Sequence, residues 1–269
     1  MDSSPRGSRR SFLVVAGAAL ASSAVAPLAW PHRGAAQEGP AGGAPSIDAI
    51  TTRLDDLYRS RGTIARIELT VVTPRQTRTL RLRSWSRGED RALIVIEAPA
   101  REAGTATLRR DRNLWNYLPR ISRTMRVPPS MMLSSWMGSD LTNDDLTQSS
   151  SYRRDFEGSV VGRSTEPAGW LVRYDARAGT VGLWRRIDFV VTDDLLPRLG
   201  RYHDRSMRLA RTMELLDVRE IDGRRVPTRF VLTPLDRPGH RTELRYLDID
   251  FDADVPESTF SLTELERGR

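Results

Sequence analysis

Between Thr63 and Phe251 the apolar residues return mostly at every second position, and no clear helical stretch long enough for a crossover interrupts them. A period of two sends alternate side chains to opposite faces of a sheet. Parallel strands need a crossover of a dozen or more residues, usually a helix, so the sheet is expected to be antiparallel. Ala65, Ile67, Leu69 and Val71 alternate with Ile64, Arg66, Glu68 and Thr70. Leu80 and Leu82 alternate with Arg81 and Arg83, and 91–98 is nearly all apolar. Further strands are expected at 105–110, 152–161, 170–176, 181–191, 198–203, 225–233 and 242–251. Residues 207–219 also fit a helix, but Asp222-Gly223 is a hairpin signal that wants strands on both sides. In the last strand the phase changes at Tyr246-Leu247. A β-bulge there would keep Thr242, Leu244 and Tyr246, and then Leu247, Ile249 and Phe251, facing inward while bending the strand.

Two stretches depart from this pattern. Ser46 can cap a helix over 47–59, where Ile47, Ile50, Leu54 and Leu57 fall on one side. The second stretch is 113–151. Leu114 to Val127 reads as a hairpin carrying Trp115, Tyr117 and Met125, with its turn at Leu118-Pro119-Arg120. Pro128-Pro129 stops the pairing, because neither residue can donate a ladder hydrogen bond. Met131, Met132, Leu133, Trp136 and Met137 follow as a soft apolar cluster, closed by Gly138-Ser139-Asp140 and a polar cap or turn at Asn143-Asp144-Asp145. A short helix plugging the core is one reading. The other is a lining for a lipid-like ligand, since Met adapts to varied apolar partners.

The run LWNYLPRISRTMRVPPSMMLSSWMGSDLTNDDL resembles the signature of the outer membrane lipoprotein-sorting-like proteins, relatives of the periplasmic lipoprotein carrier and of mycobacterial lipid-binding lipoproteins. REIDGRRVPTRFVLTP at 219–234 and DVPESTFSLTELER at 254–267 extend the likeness to roughly residues 46–267. The resemblance implies an open, strongly curved antiparallel half-barrel with short helices against its concave face. It implies carriage of lipid or acylated lipoprotein between membranes, without catalysis. Trp115, Tyr117, Met125, Met131, Met132, Leu133, Trp136 and Met137 are then the expected ligand-binding residues. The alternative is a non-enzymatic accessory module that docks on an exporter of the resistance-nodulation (RND) type or on an outer-membrane assembly.

Residues 1–36 read as an address. Ser8-Arg9-Arg10-Ser11-Phe12-Leu13 is a twin-arginine pattern, an Ala-rich apolar stretch runs to Ala29, and Gly34-Ala35-Ala36 offers cleavage after Ala36. The expected destination is the periplasm, with 37–45 as a Gly/Pro/Ala linker and 46–269 as one domain. The chain has no Cys, which removes disulfides, a thiol nucleophile and a lipid anchor on cysteine. Every basic residue other than His is Arg, and the chain carries +7. No nucleic-acid motif accompanies that charge, so no nucleic-acid partner is expected, while transient contact with anionic membrane remains open.

The remaining chemistry is thin. Asp248, Asp250, Asp252 and Asp254 could be imagined around a cation, but no tight Gly turn accompanies them, and a solvated face is the simpler reading. His203 and His240 have no zinc spacing, and no cofactor motif is present. A lipid hydrolase using Ser134, Ser135 or Ser139 with His203 as base would need a fold that joins them.

Overall fold

A computed structural model describes residues 43–147, 152–180 and 182–267. The expected export signal and cleavage site lie outside the described residues, as does most of the expected linker.

Helix α1 (Ile47–Asp56) leads into β1 (Thr63–Val72), β2 (Thr77–Arg87), β3 (Arg91–Ala98), β4 (Ala106–Arg110), β5 (Asn113–Leu118) and β6 (Arg123–Arg126). Two short helices follow, α2 (Asn143–Thr147) and α3 (Tyr152–Asp155). Then come β7 (Phe156–Thr165), β8 (Ala168–Ala176), β9 (Arg186–Val191), β10 (Pro197–His203), β11 (Leu209–Ile221), β12 (Arg224–Pro234), β13 (Arg241–Asp250) and α4 (Leu262–Arg267). All 13 strands form one sheet in the order β6-β5-β4-β3-β2-β1-β13-β12-β11-β10-β9-β8-β7. The pairings are antiparallel, as the absence of crossover helices predicts. Pairing of β1 with β13 joins two meanders into one surface, and β6 and β7 are its edges.

The sheet is strongly curved. The Leu146 carbonyl accepts from Arg109 on β4 at 3.3 Å, and the neighbouring Asp145 accepts from Arg211 on β11 at 2.7 and 2.8 Å. β4 and β11 are six steps apart in the strand order. In a flat sheet they would be about 29 Å apart, at ~4.8 Å per step. Adjacent residues reach both strands because the sheet wraps around them.

Ser46 caps α1 as expected, its hydroxyl accepting from the Ala49 N–H at 3.1 Å. The helix ends at Asp56, before the anticipated 59. Its Leu57 end packs with Ile67, Leu82, Trp136 and Phe251, and its Ile50 side with Tyr174, Trp184 and Phe189, so it bridges two core clusters on the concave face. A Cβ at Gly158 would lie 2.9 Å from the Ile47 and Tyr174 side chains, so this glycine lets α1 dock on β7.

On the opposite face α4 and the turn before it cover β3 to β5, with Val255, Phe260 and Leu265 packed on Leu93, Val95 and Leu108. The sequence suggested only that Phe260 packs back on the body; the six-residue α4 was not anticipated.

The bulge in β13 is present. Arg66 pairs with Asp248 and Ile67 with Tyr246, leaving Leu247 unmatched. Ile249 and Phe251 do turn inward, but Leu247 itself is 46% exposed, because the inserted residue of a bulge is pushed out of the ladder. Asp222 (φ 50°) and Gly223 (φ 70°) form the two-residue hairpin loop that makes 209–221 a strand.

Three expectations are corrected. Residues 152–155 form a helical turn rather than the start of a strand, with the Tyr152 amide held by Asp55 at 2.8 Å. Strand β9 begins at Arg186 rather than near 181, because a turn closed by the Thr180 amide on the Arg177 carbonyl at 3.1 Å and bends at 182–183 precede it. The cluster at 131–137 is not an α-helix. A 3-10 turn at Pro129–Met131 gives way to a loop in which Ser135 pairs with Thr142, and Met137 (φ 49°) and Gly138 (φ 69°) are left-handed. Two successive left-handed residues end any helix.

Candidate ligand cavity

The loop from Trp136 to Leu146 is fastened along the concave face of the sheet. Trp136 is 2% exposed, and its indole N–H donates to Thr107 on β4 at 3.1 Å. Arg78 on β2 donates to the Met137 carbonyl. The buried Asp140 carboxylate accepts from the Thr242 hydroxyl on β13 at 2.7 Å and from Arg237 at 2.8 Å. Thr142 and Asp145 form a reciprocal capping box at α2: the Asp145 amide donates to the Thr142 hydroxyl at 3.1 Å, and Asp145 accepts from the Thr142 amide at 2.8 Å. The acidic run is therefore used for capping, as expected. The sequence did not reveal that Asp145 also meets Arg211 in a two-pronged ion pair with both side chains nearly buried.

Arg211 lies 4.5 Å from the Trp184 ring and 4.6 Å from the Tyr202 ring. Burial alone would raise the Asp145 carboxyl, but the Arg211 charge and its hydrogen bonds outweigh it and hold Asp145 below the usual carboxylate range.

Between this loop, α1 and strands β11 to β13 the fold leaves a cavity of about 490 Å³. Leu54, Tyr58, Leu141, Leu146, Tyr152, Met213, Phe230, Leu232, Leu244 and Tyr246 make its apolar wall. The Tyr58, Phe230 and Tyr246 rings stand 5.7 to 6.0 Å apart and join the chain just after α1 to β12 and β13. Burial pushes the Tyr246 hydroxyl up to about 12, and pushes Tyr58 and Tyr152 well above the usual range, so these phenols stay uncharged. Asp55, Arg59, Glu89, Arg109 and Asp145 supply the polar part of the wall. A hollow of about 190 Å³ adjoins it and shares Leu141, Asp145, Tyr152, Met213 and Leu232. A wider polar cleft of about 770 Å³ shares Arg59, Gly88 and Glu89.

None of the eight residues expected to bind ligand lies on the wall of the 490 Å³ cavity. Trp115 and Tyr117 pack toward α4, on the far side of the sheet. Met125, Met131 and Leu133 are exposed, at 38%, 51% and 52%, and Met132 is half-buried. Trp136 and Met137 belong to the apolar cluster that Tyr58, Leu141, Leu146, Leu244 and Tyr246 also join, so they stand behind the wall.

The Ser135 hydroxyl donates to the Ser139 carbonyl and the Ser139 hydroxyl to the Trp136 carbonyl, while His203 sits in the β10 ladder. The fold thus gives these serines structural partners. Asp248, Asp250, Asp252 and Asp254 are all exposed. Among the described residues no group of three or more acidic or imidazole side chains is placed to hold a metal, and no helix is long and apolar enough to cross a membrane.

A family model described as "-like: Uncharacterized protein" matches residues 88–267, more than half of the chain. The chain belongs to that family. Its fold is that of the lipoprotein-sorting proteins, as three solved structures establish. A DUF1329 family protein from Desulfovibrio piger superposes with a TM-score of 0.75 at 21% identity, covering 81% of this chain and 98% of that one. A LolA superfamily protein from Nitrosomonas europaea gives 0.69 at 19% identity, over 82% and 100% of the two chains. A domain assigned to outer membrane lipoprotein sorting from Vibrio parahaemolyticus gives 0.71 at 19% identity, over 82% and 97%. No curated protein matches the sequence. What the lipoprotein-sorting fold adds to the geometry is a precedent for the arrangement found here, one curved sheet around short helices.

Proposed function

We propose that this protein is a non-enzymatic periplasmic carrier that shelters an acyl chain, of a lipid or of an acylated lipoprotein, in the cavity between α1, the 136–146 loop and strands β11 to β13. One observation carries the reading: a space of about 490 Å³ with ten large uncharged aromatic and aliphatic side chains on its wall. That volume lies within the ~300–1,000 Å³ of small-molecule sites. Ten buried methylenes contribute about 8 kcal/mol before the costs of association, which suits a reversible carrier without covalent chemistry. The fold shared with lipoprotein-sorting proteins supports the same reading, and so does the export signal at residues 1–36. The domain is taken as 46–269, after removal of 1–36.

The test is purification from the host followed by lipid extraction and mass spectrometry, with uptake of a fluorescent acyl probe measured in parallel. Co-purified lipid and saturable uptake are expected. Leu244→Trp, which fills the cavity, should abolish uptake while the protein stays folded. No lipid and no uptake in the wild type would end the carrier reading.

A second reading, an accessory module docking on an RND-type exporter, is favoured by the exposed Ile121, Met125, Met131 and Leu133. Photo-crosslinking at Met131 in the host separates the two: adducts with such a transporter support docking, and adducts with lipid alone speak against it.

A further inference from the structure

We propose that the cargo carries an anionic head, a carboxylate or a phosphate, and that Arg109 receives it at the cavity wall. The inference rests on the carrier reading and names the chemical class within it.

Arg109 lies on β4, two residues from the Thr107 that holds Trp136, and its side chain lines the cavity. One Nη donates to the Leu146 carbonyl at 3.3 Å, and the other to the Glu89 carbonyl. Its Nε is buried and has no hydrogen-bond partner. Among the described residues no carboxylate forms an ion pair with it, whereas Arg59, Glu89 and Asp145 on the same wall do have ion-pair partners. Glu89 pairs with Arg59 at 3.0 Å, Asp145 with Arg211 at 2.7 Å, and Asp55 accepts from the Tyr152 amide at 2.8 Å. Burial also depresses the Arg109 pKa, more than the nearby Asp90 and Glu89 charges raise it.

A half-buried guanidinium whose Nε has no partner, with Asp90 and Glu89 acting on it only at longer range, is under-compensated, and an incoming anion would relieve that cost. Arginine suits the task better than lysine, because its planar fork matches the two oxygens of a carboxylate or phosphate. A mainly apolar wall that also presents a guanidinium without an ion-pair partner is complementary to an amphiphile with an acidic head. A neutral ester would fill the same wall and leave the cation as it was.

The experiment compares binding of cis-parinaric acid and its methyl ester to the full chain at pH 8, with lysophosphatidate and palmitate as competitors. The wild type should bind the acid about tenfold more tightly than the ester, the scale of one charge-assisted contact. R109Q should bring the acid down to the affinity of the ester, and R109K should keep part of the preference. Stronger competition by lysophosphatidate assigns the head to phosphate, and stronger competition by palmitate to carboxylate. Equal binding of acid and ester by the wild type would overturn the proposal and leave the carrier reading standing. An unchanged acid-to-ester ratio in R109Q, with both affinities and the melting temperature reduced together, would also overturn it, since Arg109 would then only brace α2. Binding of neither probe would remove the carrier reading itself.

Discussion

Asp145 is a carboxylate placed almost out of water, and it tolerates that position because two N–H groups of Arg211 and the amide and hydroxyl of Thr142 all point at it. Removing the cation alone leaves the anion stranded. Arg211→Met should therefore cost about 3–5 kcal/mol, read as a shift in the denaturant midpoint. Pairing it with Asp145→Leu should recover much of that loss, because the double change buries no lone charge. The pH dependence has a definite sign. The Asp145 pKa is lower in the folded protein than in the unfolded chain. Its contribution is fully present above the unfolded value of ~3.9 and is lost as pH falls through the lower folded value. An acid titration should show wild-type stability falling below about pH 4, with a shallower fall in the double variant.

At the scale of elements, α1 depends on its cap. Ser46→Ala should destabilise by about 1 kcal/mol and raise amide exchange first over Ala49 and Ile50. The bulge in β13 makes a different demand. Deleting Leu247 would leave Tyr246 and Asp248 consecutive opposite Ile67 and Arg66, a regular ladder that still sends both apolar sets inward. The strand should then straighten, and acyl uptake should drop more than the melting temperature does.

Much of this level was legible in the sequence. Alternation located most strands, Asp222-Gly223 decided β11, and the phase change at Tyr246 announced the bulge. The 131–137 stretch was not legible as a loop, because Met and Trp at close spacing look helical, and only Gly138 hinted at the left-handed turn. The cavity wall was read poorly for a related reason. Tyr58, Phe230 and Leu232 come together only after β13 pairs with β1, a contact between residues far apart in the chain. Arg211 did leave a local sign: it holds an inward position in phase with Met213 and Leu215, where an unpaired cation would be intolerable.

Across the whole molecule the 13 strands form a single surface whose two edges, β6 and β7, do not pair with each other. Among the described residues the two meanders pair strand to strand along the β1–β13 ladder, and are otherwise joined by what lies in the hollow and by the segment after β13 that packs α4 on β3 to β5. Widening the hollow is then a relative motion of the two meanders, and cargo exchange should be slower in a variant that locks them. Such a variant is expected to slow release of a pre-loaded acyl probe, measured by stopped flow, without abolishing binding at equilibrium.

The loop from Trp136 to Leu146 touches β4, β2, β13 and β11 within eleven residues, always through a polar group. It acts as a tie-beam across an arch, so neither haunch can sag alone. Amides of β4 and β11, remote from each other along the chain, should therefore lose protection against exchange in the same step. Cutting one tie, as Trp136→Phe does by deleting the donor to Thr107, should loosen both haunches together, with the Arg109–Leu146 bond still holding β4 in part.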